Sequence, residues 1–113
     1  MVRIMKLLNV SERRAHPRKA LESGAWIEMQ SASHFASARD VSIGGLFVQT
    51  PLPLPVGSKV YLEFWLEGKP VEVTACVVWS SMESKSVAGM GFEFHAPLDG
   101  WAAEAIERLP EPA

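Results

Sequence analysis

Two short runs hold the side chains best suited to chemistry. Arg13-Arg14-Ala15-His16-Pro17-Arg18 clusters guanidinium groups, and Asp40-Val41-Ser42-Ile43-Gly44-Gly45 sets a carboxylate, a hydroxyl and bare backbone close together. Arginine forks onto phosphate oxygens or onto the O6/N7 edge of guanine. A carboxylate accepts from guanine N1–H and N2–H2, the edge that arginine cannot serve. The two runs are complementary halves of a site for an anionic, guanine-containing ligand.

Each run also has a bland reading. Pro17 fixes its own φ and disfavours helix at His16, so Arg14 and Arg18 lie on an extended or turning loop. Such a loop gathers guanidinium groups around one compact anion, or it is simply a solvated basic linker. His16 reads as a loop residue, with no acidic partner near it in sequence. Asp40 and Ser42 point to the same side of a strand, and Gly44-Gly45 lets the chain turn tightly with its N–H groups open to a close ligand. The alternative is an ordinary Asx- or Ser-initiated turn before a strand.

Other chemistries find no support. Gly89-Met90-Gly91 runs into Phe92-Glu93-Phe94, a strand pattern, so it is not a dinucleotide fingerprint. No Gly-Lys-Ser/Thr phosphate loop occurs. His16, His34, His95 and Cys76 lack zinc spacing, and nothing positions Ser, His and Asp as a triad. The chain reads as a binding module without catalysis, resident cofactor or metal.

The elements that must position the two runs are strands. Ala25–Gln30, Phe35–Val41 and Gly45–Thr50 come first, with Leu46 and Val48 facing opposite to Phe47. Over Lys59–Leu66, Val60, Leu62, Phe64 and Leu66 share one face, and Tyr61, Glu63 and Trp65 the other. Val71, Val73, Ala75, Val77 and Trp79 then alternate with Glu72, Thr74, Cys76 and Val78, making a hairpin about Glu67-Gly68-Lys69-Pro70. Met90, Phe92 and Phe94 mark the last strand. Leu98, Trp101, Ala102, Ala105, Ile106 and Leu109 form a helical apolar stripe, with Asp99 as its expected cap and Glu104–Arg108 as a favourable pair. Short strands at regular spacing favour a small closed antiparallel barrel, with the C-terminal helix over an open end or flank.

Composition fits one soluble domain. Of 113 residues, 48% are hydrophobic and 21% charged, ordinary for a globular chain. The single Cys76 excludes an internal disulfide, favours a reducing compartment, and reads as a small buried hydrophobe. Residues 1–10 resemble a signal peptide only faintly, because charged Glu12, Arg13 and Arg14 follow a short apolar run. No stretch is apolar enough to span a bilayer, so a cytoplasmic location is expected. The net charge of −2 hides an asymmetry. Arg3, Lys6, Arg13, Arg14, Arg18 and Lys19 oppose Glu12 in residues 1–20, whereas Asp and Glu dominate afterwards. An acidic body argues against duplex DNA and other nucleic acid as partner. Trp26, Trp65 and Trp101 default to core packing.

Arg-x-x-x-Arg (Arg14, Arg18) followed by Asp-x-Ser-x-x-Gly (Asp40, Ser42, Gly45) resembles the PilZ family, which binds the bacterial second messenger cyclic di-GMP. Gly45-Leu46-Phe47-Val48, Pro53-Leu54-Pro55-Val56-Gly57, Val77-Val78-Trp79 and Gly89-Met90-Gly91-Phe92 resemble its later strands and their approaches. The resemblance spans residues 11–109, leaving an N-terminal arm over 1–10 and a tail over 110–113. It implies a six-stranded antiparallel β-barrel with a C-terminal α-helix. It further implies that Arg14 and Arg18 wrap the phosphates and stack on one guanine. Asp40 and Ser42, with backbone at Gly44 and Gly45, would take the second guanine. Arg13 resembles the variant that takes a stacked ligand dimer. Trp79 has two readings: a ligand contact near its strand end, or a core or rim residue. The function implied is a cyclic di-GMP receptor or adaptor that signals to a separate protein partner. The competing reading is a constitutive protein-interaction module on the same barrel that binds no nucleotide.

Overall fold

The computed structural model describes residues 16–29, 32–81 and 88–111; Arg13 and Arg14 lie outside the described residues. Among these, six strands form: β1 (Lys19–Glu28), β2 (Ser33–Ser42), β3 (Gly45–Gln49), β4 (Lys59–Leu66), β5 (Lys69–Ser81) and β6 (Gly89–Phe94). A single helix, α1 (Gly100–Glu107), follows. Strand alternation works as expected in β4, where Val60, Leu62, Phe64 and Leu66 are buried and the residues between them face outward. The strands pair antiparallel and close in the order β1-β2-β3-β6-β5-β4.

Inside the barrel, Ile27, Val48, Leu62, Phe64, Val77 and Met90 are fully enclosed. Each such large apolar side chain contributes about 1.5–3 kcal/mol relative to exposure. Phe64 of β4 and Phe94 of β6 stack with centroids 6.0 Å apart, joining two walls. The start of β1, the ends of β2, β4 and β6, and the starts of β3 and β5 all gather at one end of the barrel. The helix closes that end, contributing Ala102, Ala105 and Ile106 to the core while Leu98, Trp101 and Leu109 pack against it. Lys19 Nζ donates to the carbonyls of Glu107 and Leu109 at 3.1 and 3.3 Å, tying the helix end to β1. No helix among the described residues is long and apolar enough to cross a membrane.

Several local expectations are corrected. β1 starts at Lys19, well before Ala25, because Lys19 and Ala20 pair with Val41 and Asp40 across a bulge that hides the alternation. Ser23-Gly24 therefore lies within a strand: Ser23 Oγ accepts from Trp65 N–H, and Phe35 lays its ring over the bare Gly24. The β4–β5 turn is only Glu67-Gly68, both with positive φ (53° and 78°), as a two-residue type I′ hairpin requires. Asp99 stands at the helix start, but it makes no side-chain cap; its carbonyl accepts from Ala102 and Ala103 N–H. Arg108 feels the expected attraction of Glu104 but takes its hydrogen-bonded ion pair elsewhere. It forks onto Glu67 at 2.8 and 3.0 Å, fastening the helix to the hairpin and holding the Glu67 carboxyl below its usual range. Trp26 and Trp65 face outward, half-buried, and only Trp101 of the three packs on the core. Cys76 likewise takes the outer parity of β5 and is only half-covered.

Candidate ligand-binding site

The placement of Asp40 depends on an irregularity in β2. Ala36, Ala38 and Val41 point inward, so the alternation slips by one residue at Arg39. The ladder to β3 shifts at the same point, pairing Ala38 with Val48 and Asp40 with Phe47. A bulge of this kind re-aims side chains. Arg39 and Asp40 both turn to the outer surface. On the other side Asp40 pairs with Ala20 of β1, two residues beyond Arg18.

This register brings the two sequence motifs together. Arg18 Nη2 donates to Asp40 Oδ2 at 3.2 Å, with 36% and 19% of the respective side chains exposed. Ser42 begins the β2–β3 turn, its Oγ accepting from Gly44 N–H at 3.1 Å. That N–H, expected to be open, is engaged by the hydroxyl. The Gly44 carbonyl accepts from Phe94 N–H at 2.9 Å. Gly45 is required by packing, since a Cβ there would collide with the Phe92 carbonyl of β6. His16 lies over Gly44; a Cβ at that glycine would stand 2.9 Å from its Cδ2.

An aromatic pair extends the surface away from Asp40. The cross-strand register runs from Asp40 to Phe47, then to Gly91 of β6, then to Trp79 of β5. A second bulge, between Val77 and Trp79, swings Trp79 off the buried series of Val71, Val73, Ala75 and Val77. Its side chain is 47% exposed. Trp79 is thus not a core residue. Across Gly91 in the register, the Phe47 and Trp79 rings meet with centroids 5.6 Å apart and tilted by 51°. Phe47 also lies over Gly89, where a Cβ would come within 2.9 Å of its ring. The bare Gly89 of β6 therefore leaves room for the Phe47 ring.

Phe47 and Arg39 were not singled out from sequence. The three-residue step from Ala38 to Val41 was the available signal for Arg39, and the bare Gly89 on the facing strand was the signal for Phe47. Among the described residues no group of three or more His, Cys, Asp or Glu side chains could hold a metal ion. The arrangement offers a guanidinium, a carboxylate, a hydroxyl-anchored turn and two flat rings on one open barrel wall. Such a set can hold a planar base edge-on and an anion beside it.

Residues 12–109 match the PilZ domain family model. The chain belongs to the PilZ domain family. Two solved structures share this barrel at low identity. The inhibitor of motility MotI/DgrA of Bacillus subtilis superposes with a TM-score of 0.68 at 20% identity, covering 83% of this chain and 47% of its own. The PlzA protein of Borreliella burgdorferi, solved in complex with c-di-GMP, gives 0.59 at 18% identity, covering 94% of this chain and 46% of its own. The chain thus spans about half the length of each. No curated protein matches it.

Proposed function

We propose that this PilZ chain is a cyclic di-GMP receptor that binds without catalysis and passes the signal to a protein partner. The observation that carries the reading is the 3.2 Å contact of Arg18 with Asp40, the second arginine of Arg-x-x-x-Arg against the aspartate of Asp-x-Ser-x-x-Gly. Family membership and the c-di-GMP complex of PlzA support the same ligand. Asp40 accepts from the guanine N1–H and N2–H2, and Arg18, with Arg14, serves the phosphates and a guanine face. Ser42 and Gly44-Gly45 shape the turn beneath. Trp79 offers an exposed ring at the far side of the wall, and Arg13 assigns the chain to the variant that takes two stacked ligands. Domain limits of 11–109 enclose all of these residues. The reading puts the chain in the bacterial cytoplasm, where its single cysteine stays reduced.

Calorimetric titration with cyclic di-GMP, with GTP and cyclic AMP as controls, tests it. Saturable binding of cyclic di-GMP alone supports the receptor, and two ligands per chain support the role of Arg13. A folded protein that binds none of the three overturns the reading in favour of a constitutive interaction module.

A further inference from the structure

Farther along β1 and β2 from the Arg18–Asp40 contact, the outer face has its own chemistry. Across β2, β1, β4 and β5 the register aligns Phe35, Trp26, Glu63 and Glu72, and the next outward row aligns Glu28 with Tyr61. Phe35 is 61% exposed and rests against Trp26, with ring centroids 6.1 Å apart. Trp26 Nε1 donates to Glu28 at 3.1 Å. Burial first, then the hydrogen bond to Glu72 and the charges of Glu72, Glu63 and Glu28, push the Tyr61 phenol up to about 12. Three carboxylates therefore share a small field around exposed aromatic surface. Lys59, two positions from Tyr61 on β4, borders it.

Isolated exposed aromatics are common, but a packed aromatic pair flanked by three carboxylates is suited to be an interaction surface. Its occupant follows from charge complementarity. Nucleic acid and anionic lipid are repelled by Glu28, Glu63 and Glu72. A cation flanking an apolar side chain would satisfy the carboxylates while the apolar group covers Phe35 and Trp26. We infer that this wall docks a partner-protein segment carrying Lys or Arg side chains on either side of an apolar anchor. The surface lies on β1, β4 and β5 with Phe35, whereas the ligand wall lies on β2, β3, β6 and the far end of β5. The inference holds whether or not cyclic di-GMP binds.

The test is chemical-shift mapping on the full, ligand-free chain with a peptide of alternating Lys and Leu. The same peptide with Glu for Lys, and with Ser for Leu, serves as control. The Lys-Leu peptide is expected to give saturable shifts centred on the Trp26 indole N–H and on Tyr61, with neither control doing so. The paired substitution Glu63→Gln with Glu72→Gln, isosteric and on the outer face, should weaken binding about tenfold, equivalent to ~1.4 kcal/mol. Glu93→Gln on the other wall should leave it unchanged. Absence of shifts with the Lys-Leu peptide would overturn the proposal. Equal binding of the Glu-Leu peptide, or affinity indifferent to the Glu63 and Glu72 changes, would do the same.

Discussion

Arg18 Nη2 and Asp40 Oδ2 stand 3.2 Å apart although the residues are 22 positions apart in sequence. Both side chains are partly solvated, so the pair contributes only about 0–1 kcal/mol to the fold. Arg18→Ala and Asp40→Asn should therefore leave the melting temperature nearly unchanged. Each should weaken cyclic di-GMP binding by roughly tenfold or more, the worth of a charged hydrogen bond of about 1.5–3 kcal/mol. Calorimetry and thermal melts on the same samples check this. Full affinity in both variants would remove the site assignment.

Gly45 lies so close to β6 that a methyl group would collide with the Phe92 carbonyl. Gly45→Ala should cost about 1–3 kcal/mol of stability, the usual range for overpacking. Chemical denaturation measures it. A neutral result would show that β3 and β6 can separate there at no cost.

Trp79 sits outside the barrel against Phe47, whereas Met90 lies wholly within it. Trp79→Ala should cost less than Met90→Ala, which leaves a cavity worth about 2–5 kcal/mol. If the Trp79–Phe47 pair also meets the ligand, Trp79→Ala lowers cyclic di-GMP affinity with little loss of stability. Denaturation and titration curves separate these effects.

Tyr61 holds its proton more tightly in the folded chain, its pKa rising from the ordinary 10.0 to about 12. Between those values the folded state binds more protons than the unfolded, so stability falls as pH rises. The contribution is intact below about pH 10 and gone above about 12. Tyr61→Phe should flatten that part of the stability curve relative to the parent chain. Denaturation midpoints from pH 9 upward, taken for both proteins, report the difference; parallel curves would exclude Tyr61 as the cause.

Much of the barrel was legible because β4 and most of β5 keep an unbroken two-residue alternation, which forces one face inward. The helix was legible from its apolar stripe. Legibility ended at bulges. The slips at Arg39 and before Trp79 each insert one residue into a ladder, and the gain appears only when the partner strand is in place. Hence Trp79 was left between core and surface, and β1 lost its first residues. The Asp40 and Arg18 motif positions could be named from residue type, but their contact depends on the β1–β2 register. The Arg108–Glu67 fork was hidden for the same reason: it joins a helix to a distant hairpin, while sequence offers Glu104 at the nearer spacing.

The sheet closes on itself, and along Ala25–Glu28 of β1 and Tyr61–Phe64 of β4 the ladder is paired on both sides. A visiting peptide finds no free ladder to extend there, so recognition by strand addition is closed to that stretch. Whatever meets it must read its side chains. Specificity then resides in a handful of outward positions, and a single change of charge there can exchange one partner for another without disturbing the fold.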